Sequence, residues 1–285
     1  MTDDVAPQTF TSGEFFVALS GLAAMRSVLV DPDRARPRID EARAIAARMD
    51  ESPNDIVIPV VEHAVTTGYA AWAPTYDGPN PAIAGEEPVV HRIVDALAPG
   101  RALDACCGTG RHAAHLVERG WDVVGVDATH EMLEVARAKV PSARFEQGDV
   151  LDLPLADDAV DLAVCSLALT HVPDLAAALA SLACVVRPGG TLVLSDIHPT
   201  SVLIGGTAAF PHEGGLAHVR NLHHPISSYV RGFHGAGLEV VDCVEVEHDP
   251  ETLAGHLAHP FVPDAVQEAY GGLPFLLIWH LRVPG

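Results

Sequence analysis

Short apolar runs alternate with segments of helical periodicity through the central and C-terminal parts of the chain. Apolar residues recurring every three or four positions predict helices near 111–119, 129–138, 174–186 and 225–236. The apolar runs predict strands near 101–105, 122–126, 143–146, 160–166, 190–196, 238–246 and 274–282. This alternation favours an α/β fold with a doubly wound, mostly parallel seven-stranded sheet and helices on both faces. The last two strands have no helix between them, so one of them is predicted to be antiparallel at the sheet edge.

The first 66 residues have a different pattern, which predicts a helical lobe. Phe10 to Val30 is apolar with near-helical spacing. Asp31 to Arg34 is typical of a helix start, and that helix is expected to end near Met49. Residues 54–66 are apolar enough for a further helix, although Pro59 weakens that prediction. The lobe is interpreted either as a lid or wall of a substrate pocket, or as a packing or dimerisation element.

These patterns predict two domains. The N-terminal helical lobe or lid covers 1–66, and the α/β domain covers 67–285. A substrate-side insertion is expected at about 198–224, after the fifth strand of the sheet. If the lobe is a dimerisation element, the expected assembly is a homodimer.

The stretch from Asp104 to Gly110 is a candidate ligand-binding loop. Asp104 closes an apolar run, and Gly108 and Gly110 give a tight turn in which the backbone can approach a ligand closely. A strand, a glycine turn and a helix start together are typical of a nucleotide-binding loop. Asp127 ends the next apolar run, and a carboxylate there can bind both hydroxyls of a ribose. The alternative is an ordinary strand–helix turn with helix-capping acids, which the second acid disfavours.

Composition and charge argue against a nucleic-acid partner, a membrane span and a secretory signal. The 285 residues are 48% hydrophobic and 19% charged, and the net charge is −21 with His neutral, which argues against a nucleic-acid substrate. No apolar run reaches the roughly 18 residues of a membrane span. The acidic start Met-Thr-Asp-Asp is not typical of a secretory signal. Five cysteines, mostly within apolar runs, suit buried thiols in a reducing cytoplasm, where we expect the protein.

Five sequence blocks between about residues 66 and 198 stand in a recognisable order. They are Leu103-Asp104-Ala-Cys-Cys-Gly108-Thr-Gly110, Val124-Gly-Val-Asp127, Gln147-Gly148-Asp149-Val150, Val160 to His171, and Arg187-Pro-Gly-Gly190 to Asp196. Together they resemble the class I, Rossmann-like S-adenosylmethionine-dependent methyltransferases. One position departs from the family pattern, because Cys106 stands where the family usually has the first glycine of its loop. We expect Cys106 to keep a negative φ and cofactor binding to survive.

The resemblance implies S-adenosylmethionine as the cofactor, with its methionine part above the backbone of Gly108 and Gly110. It implies that Asp104 orients the loop or accepts a hydrogen bond from the cofactor's amino group. Asp127 would bind the ribose hydroxyls. The same implied site includes Cys106, Ala128 and Leu167.

The other implied contacts are to the adenine and to the sulfonium. Asp149 would accept a hydrogen bond from the adenine amino group, and the Val150 N–H would meet a ring nitrogen. Ser166 would face the methionine end by its carbonyl or its hydroxyl. Tyr69 or Tyr76 would close over the sulfonium or the carboxylate, since aromatic faces in an acidic protein stabilise a cation.

Two histidines are candidate catalytic residues. In an in-line methyl transfer, alignment of the nucleophile, the methyl group and the sulfur can provide much of the acceleration. A base accelerates the reaction further where the acceptor is a phenol, a hydroxyl or an amine. His171 follows the fourth predicted strand and His198 the fifth, at the carboxyl edge where such sheets bind ligands. His223-His224-Pro225 is interpreted instead as a helix start. The histidine spacings lack an HxxxH or HxH pair with an acid, so we expect no metal.

The expected activity is transfer of a methyl group from S-adenosylmethionine to an oxygen, a nitrogen or a nucleophilic aromatic carbon of a small molecule. By analogy, the reaction is placed in natural-product tailoring. Two alternatives stay open, namely a cofactor-binding fold that catalyses a non-methylating reaction such as cyclisation, and a protein or peptide methyltransferase. Hydride transfer with NAD(P) is disfavoured because the G-x-G-x-x-G fingerprint is absent after Gly108.

Overall fold

The computed structural model describes residues 8–285, and its larger sheet has seven strands in the order β10-β11-β7-β6-β3-β4-β5. The strands are β3 (Arg101–Ala105), β4 (Asp122–Asp127), β5 (Arg144–Gln147), β6 (Val160–Ser166), β7 (Val186–Ile197), β10 (Glu239–Glu247) and β11 (Pro274–Arg282). The pairs β3–β4, β3–β6, β4–β5 and β6–β7 are parallel. β11 is antiparallel to β7, with Leu276 opposite Ile197, so one of the last two strands is antiparallel as predicted. Its expected place at the sheet edge is wrong, because β10 forms the edge and β11 lies between β10 and β7.

Helices cover both faces of this sheet. The helices of this part of the chain are α3 (Val65–Trp72), α4 (Pro81–Asp95), α5 (Arg111–Glu118), α6 (His130–Lys139), α7 (Leu175–Val185), α8 (Pro199–Leu203) and α9 (Ile226–Gly235). Two short 3₁₀ turns, Ala73–Thr75 and Leu169–His171, follow α3 and β6. The side chains of Asn80 and Asp174 cap α4 and α7 by accepting backbone N–H groups of the first turn.

The core lies in two layers, one on each side of the sheet. Ala102 and Leu103 are neighbours in β3 and belong to different hydrophobic clusters, because successive side chains of a strand point to opposite faces. The cluster of Leu103 includes Leu179, Leu182, Tyr229, Phe233 and Trp279. The cluster of Ala102 includes Val90, Leu116, Leu133, Leu162 and Ile278. The doubly wound α/β fold predicted from the alternating pattern is confirmed.

A second sheet has four strands in the order β1-β2-β9-β8. Its strands are β1 (Gln8–Thr11), β2 (Val57–His63), β8 (Ala208–His212) and β9 (Gly215–Val219). The helices of this part are α1 (Ser12–Ser27), α2 (Pro32–Ala46), α10 (Pro250–Ala254) and α11 (Pro263–Tyr270). Thr11 and Glu14 form a capping box at the start of α1, and Asp31 caps α2 as its sequence predicts. Phe16, Leu19 and Ile45 pack with Leu253 and Val266 in a third hydrophobic cluster.

The helix predicted over residues 54–66 is wrong, because most of this stretch forms strand β2. Its sequence is rich in β-branched residues, which suit a pleated surface, and Val57 to Val60 pair antiparallel with β1. The partner on the other side, β9, comes from residues 215–219. A partner so distant in sequence leaves no local signal, so tertiary pairing decides the conformation here.

The chain divides into two compact units. The first comprises the described residues up to Glu62, with Ala209–His218 and Glu247–Pro274; the second comprises His63–Ala208, Val219–Val246 and Phe275–Gly285. The boundary expected between residues 66 and 67, and the role of the lobe as a lid, stay predictions. Within residues 8–285 no helix is both long and apolar enough to span a bilayer.

Candidate active site

A cavity of about 270 Å³ lies at the carboxyl ends of the parallel strands in the second unit. Strands β4 and β6 end beside it at Asp127 and Ser166, and Cys106, which directly follows β3, also lines it. Parallel sheets of this kind bind ligands at that edge. The lining residues are Val65, Thr66, Tyr69, Tyr76, Cys106, Gly108, Asp127, Ala128, Thr129, Gly148, Asp149, Val150, Leu151, Ser166, Leu167, Ala168, His171, Val172 and Pro173.

The loop after β3 is held by backbone hydrogen bonds to the carboxylates of two acids, the half-buried Asp127 and the buried Asp104. The Gly108 N–H donates to Oδ2 of Asp127 at 2.8 Å, with Gly108 at φ +53°. Asp104 is 1% exposed, and its Oδ2 accepts the Ala113 N–H at 2.8 Å, so its carboxylate fixes the start of α5. Asp104 and Gly110 are not among the lining residues, so of the two roles expected for Asp104 the geometry favours orientation of the loop. Burial raises the pKa of Asp104 to about 6.

Asp127 faces the cavity with both oxygens already accepting one backbone hydrogen bond. Oδ2 accepts from Gly108, and Oδ1 accepts from the Thr129 N–H at 2.8 Å. Burial raises the pKa of this carboxyl above its ordinary value, against the two backbone hydrogen bonds, which lower it. Each carboxylate oxygen keeps a second lone pair. Asp127 is therefore fixed in position and able to accept two further hydrogen bonds from a ligand.

A second wall of the cavity follows β5. Gly148, Asp149 and Val150 line it, and Oδ1 of Asp149 accepts the Leu151 N–H at 2.9 Å. This bond folds the Asp149 side chain back onto its own turn, in the manner of an Asx turn. Ala128 is also a lining residue, of small volume.

Ser166 and Leu167 form the wall at the end of β6. The Ser166 Oγ is buried and lacks a hydrogen-bond partner among the described residues. Leu167 has φ +53°, and its N–H donates to the Ser195 carbonyl at 2.8 Å. A buried hydroxyl without a partner on the wall of a cavity is a natural contact for a polar ligand group.

The expectation that Cys106 keeps a negative φ is wrong, since its φ is +54°. The turn that follows requires this conformation: the next residue, Cys107, donates its N–H to the Val126 carbonyl at 3.0 Å, and its carbonyl accepts the Gly110 N–H at 2.8 Å. A left-handed conformation costs a non-glycine residue roughly 1–2 kcal/mol. Such strained residues cluster at functional sites, and Cys106 and Leu167 both line this cavity.

Tyr69 and Tyr76 close one side of the cavity. Tyr69 is on α3, and Tyr76 follows the 3₁₀ turn that continues it. Their ring centroids lie 6.0 Å apart, and the ring of Trp72 lies 5.0 Å from that of Tyr76. The structure thus places both tyrosines on the cavity wall, where the sequence left the choice between them open.

His171 lies in the 3₁₀ turn after β6 and also lines the cavity. Its Nε2 is 2.8 Å from the Tyr69 hydroxyl, and its Nδ1 is 3.0 Å from the Arg220 carbonyl oxygen. Burial lowers the pKa of His171. The second candidate, His198, is not among the lining residues.

His198 has both ring nitrogens occupied elsewhere. Its Nδ1 accepts the Thr200 N–H at 3.1 Å and caps α8, and its Nε2 lies 2.9 Å from Oε1 of Glu245. The chain turns away from the sheet at this point, because Pro199 opens α8 directly after His198. The structure therefore does not bring His198 to the cavity with His171, and the catalytic role expected for His198 stays a prediction without support from the geometry.

Two polar clusters beside the cavity were missed by the sequence analysis. In the first, the Thr109 hydroxyl donates to Oδ1 of Asp77 at 2.6 Å, and Lys139 contacts both residues. In the second, the fully buried carboxylate of Glu86 has three partners. They are the Arg111 guanidinium, the His112 ring and the Ser195 hydroxyl. The one available signal was that Lys139 is the only lysine in the chain. No group of three or more potential metal ligands occurs within residues 8–285.

Comparisons with known proteins agree with this geometry. A methyltransferase-domain family matches residues 103–194. The demethylmenaquinone methyltransferase of Deinococcus radiodurans is 34% identical over 67% of this chain and 81% of its own length. The malonyl-[acyl-carrier protein] O-methyltransferase of Serratia marcescens is 36% identical over 51% of this chain and 56% of its own length. An S-adenosylmethionine-dependent methyltransferase structure from Mesorhizobium loti aligns with a TM-score of 0.52 at 24% identity, over 69% of this chain and 97% of that one.

Proposed function

Since the chain belongs to the class I S-adenosylmethionine-dependent methyltransferases, we propose that it methylates an oxygen, a nitrogen or a nucleophilic aromatic carbon of a small molecule. S-adenosylmethionine is its cofactor. The observation that carries the proposal is that one cavity joins the residues expected to hold the cofactor to the Tyr69–His171 pair. A cofactor site and a group able to handle the acceptor's proton are what methyl transfer to a protic acceptor requires.

The donors and acceptors of the cavity fit the cofactor. Asp127 has lone pairs left for two ribose hydroxyls, and the Ser166 Oγ lacks a partner among residues 8–285. At Gly108 the nearest neighbour of an added Cβ would be a Tyr76 ring carbon 4.0 Å away, so the backbone there is open to a ligand. We assign the ribose to Asp127, the methionine end to Gly108 and Ser166, and the adenine to the wall of Asp149.

The cofactor supplies, when bound, a methyl group made electrophilic by a positively charged sulfur. The faces of Tyr69 and Tyr76 can stabilise that charge, an interaction worth about 0.5–2 kcal/mol. The backbone of Gly108 and the carboxylate of Asp127 fix the direction from which the methyl group is presented. The apolar side chains of Val65, Leu167 and Val172 exclude water from the acceptor.

The size of the cavity favours a small acceptor. Its volume of about 270 Å³ is slightly below the range of small-molecule sites, about 300–1,000 Å³, and the cofactor occupies part of it, so little room is left for the acceptor. A net charge of −21 opposes a nucleic-acid acceptor. An aromatic acceptor, a place in natural-product tailoring, a homodimer and a cytoplasmic location stay predictions from the sequence.

The proposal is tested with cofactor labelled in its methyl group and a panel of phenols, amines and indoles. We expect label to appear in at least one small acceptor, with the demethylated cofactor formed in equal amount. Label in added protein alone would contradict a small-molecule acceptor. Bound cofactor that is never consumed, while an acceptor is cyclised, would contradict methyl transfer itself.

A further inference from the structure

Tyr69 and His171 form a hydrogen-bonded pair on the wall of the cavity, with 2.8 Å between the tyrosine oxygen and Nε2. They are 102 positions apart in the chain and come from different elements. Resting on the proposed function, we infer that Tyr69 is a catalytic residue that takes the acceptor's proton while passing its own to His171. The acceptor is accordingly a hydroxyl, phenol or N–H group, whose proton must leave as the methyl group arrives.

The hydrogen bonds of His171 determine which of its nitrogens accepts. A carbonyl oxygen only accepts hydrogen bonds, so at 3.0 Å from the Arg220 carbonyl Nδ1 must carry the proton. In a neutral ring Nε2 is then the acceptor. The Arg220 segment is held beside the His171 turn by the Leu222 N–H, which donates to the Thr170 carbonyl at 2.7 Å. The main chain thus fixes His171 as a base that is directed at Tyr69.

The direction of the Tyr69 proton follows from this arrangement. With Nε2 as an acceptor, the Tyr69 hydroxyl donates to it, and the lone pairs of the hydroxyl oxygen stay available on the cavity side. His171 is only 9% exposed, and its two ring nitrogens are both engaged. An acceptor in the cavity therefore reaches His171 through the Tyr69 oxygen.

The proposed step balances in atoms and charge. The acceptor oxygen or nitrogen bonds to the methyl carbon, and the carbon–sulfur bond breaks with its electron pair going to sulfur. The acceptor proton moves to the Tyr69 oxygen, and the former Tyr69 proton moves to Nε2 of His171. The positive charge that leaves the sulfur is then on the imidazolium, and Tyr69 is again a neutral phenol. Loss of one proton from His171 to solvent restores the enzyme.

The surroundings keep both members of the pair neutral before the step. Burial raises the pKa of Tyr69 well above its ordinary value, and Tyr76, Asp127, Asp196 and Cys106 raise it further. Burial lowers the pKa of His171, against its hydrogen bond to Arg220. Tyr69 therefore does not ionise in advance, so proton transfer must accompany methyl transfer. The hydrogen bond from Nδ1 to the Arg220 carbonyl favours the imidazolium that results.

The test compares Tyr69→Phe with the wild-type enzyme on two acceptors. One is the phenol that the wild type methylates best in the panel, and the other is its nitro derivative, which is largely ionised at the assay pH. We expect kcat with the first phenol to fall about 100-fold, in the range of general-base effects of 10²–10⁴-fold. With the ionised phenol the loss should be less than about fivefold, since that acceptor has no proton to remove. His171→Gln should behave in the same way, and the double variant should be no slower than either single one.

Two control variants show whether the loss of kcat is specific to the Tyr69 hydroxyl and the His171 imidazole. Tyr270→Phe removes a tyrosine hydroxyl and His234→Gln an exposed histidine, and neither residue lines the cavity. Both should keep the wild-type kcat. Calorimetry should give the same cofactor dissociation constant for Tyr69→Phe and the wild type within about threefold, which shows that the variant is folded.

The outcomes distinguish the relay from the proposed function. If the wild type methylates no acceptor of the panel, the proposed function and the relay fail together. If the wild type is active and Tyr69→Phe keeps its kcat, the relay alone fails. An equal loss on both phenols would assign Tyr69 to positioning and would also overturn the relay. The relay is supported if the kcat of Tyr69→Phe rises with pH while the wild-type profile is flat over the same range.

Discussion

The Lys139 Nζ lies 2.6 Å from Oδ2 of Asp77, and this ion pair joins the end of α6 to the segment that carries both cavity tyrosines. Asp77 directly follows Tyr76, so the pair holds the aromatic wall from one end. The two side chains are 31% and 45% exposed, and such pairs stabilise a protein by only about 0–1 kcal/mol. The contact is therefore expected to matter more for the order of the cavity wall than for stability.

Replacing Lys139 by Met tests this role, because Met keeps most of the aliphatic stem and removes the charge. We expect the free energy of unfolding to fall by less than about 1 kcal/mol. The dissociation constant of S-adenosylmethionine, measured by calorimetry, should rise about threefold to tenfold, since Tyr76 is held less firmly. Arg43→Met breaks an exposed pair with Asp40 in α2 and should leave the affinity unchanged. Equal affinities for Lys139→Met and the wild type would contradict the role.

The backbone of Cys106 makes a second prediction. Glycine adopts a φ of +54° without strain, whereas alanine and cysteine do not. Cys106→Gly and Cys106→Ala both remove the thiol, so their difference reports the strain of the left-handed backbone, reduced by the greater freedom of glycine in the unfolded chain. The free energy of unfolding in urea should be about 1 kcal/mol higher for Cys106→Gly than for Cys106→Ala. An alanine variant as stable as the glycine variant would mean that Cys106 is not left-handed in solution.

Asp196 predicts a dependence of stability on pH. Its Oδ2 accepts the Tyr229 hydroxyl at 2.7 Å, and burial raises its pKa to about 7. In the unfolded chain an aspartate has a pKa of about 3.9, so between pH 8 and pH 6 only the folded state takes up this proton. This group therefore contributes stability that is present at low pH and is lost as the pH rises through about 7.

Asp196→Asn removes that titration. The difference in free energy of unfolding between variant and wild type should favour the variant by about 1 kcal/mol more at pH 8 than at pH 6. Asp122→Asn, at an exposed aspartate, is the matched control and should give a constant difference. Urea unfolding at the two pH values decides the matter, and a constant difference for Asp196→Asn would refute the raised pKa.

Strand β4 offers an internal control for the ribose assignment, because it begins at Asp122 and ends at Asp127. Asp127→Ala should weaken the binding of S-adenosylmethionine by at least roughly 1 kcal/mol, since it removes hydrogen bonds to a charged acceptor. Asp122→Ala should bind as the wild type does. Calorimetric titration gives both affinities. Unchanged affinity in Asp127→Ala would exclude Asp127 from the ribose site.

The larger sheet could be predicted from the sequence because its pattern is local. A run such as Leu103 to Asp104, followed by glycines and a helical period, defines a strand, a turn and a helix within twenty residues. Strand β2 could not be predicted in this way, because the strands that pair with it are residues 8–11 and 215–219. Only pairing across that separation makes residues 57–63 extended.

Only part of the candidate site could be predicted from the sequence, for the same reason. The acids and glycines near the strand ends were found because the chain order brings them to one edge. The pair of Tyr69 and His171 was not, because each residue alone is an ordinary wall residue and only their 2.8 Å contact suggests chemistry. The sign of φ at Cys106 is likewise set by hydrogen bonds of Cys107 to Val126 and Gly110, which the sequence does not reveal.

The four-stranded sheet takes two strands from before residue 64 and two from after residue 207. Its unit is completed by a third segment, Glu247–Pro274. A single recombination crossover between these segments would separate strands that pair in the sheet, and would leave their edges unpaired or mismatched. Substitutions at the contacts within this unit must therefore stay compatible across three separate stretches of the sequence.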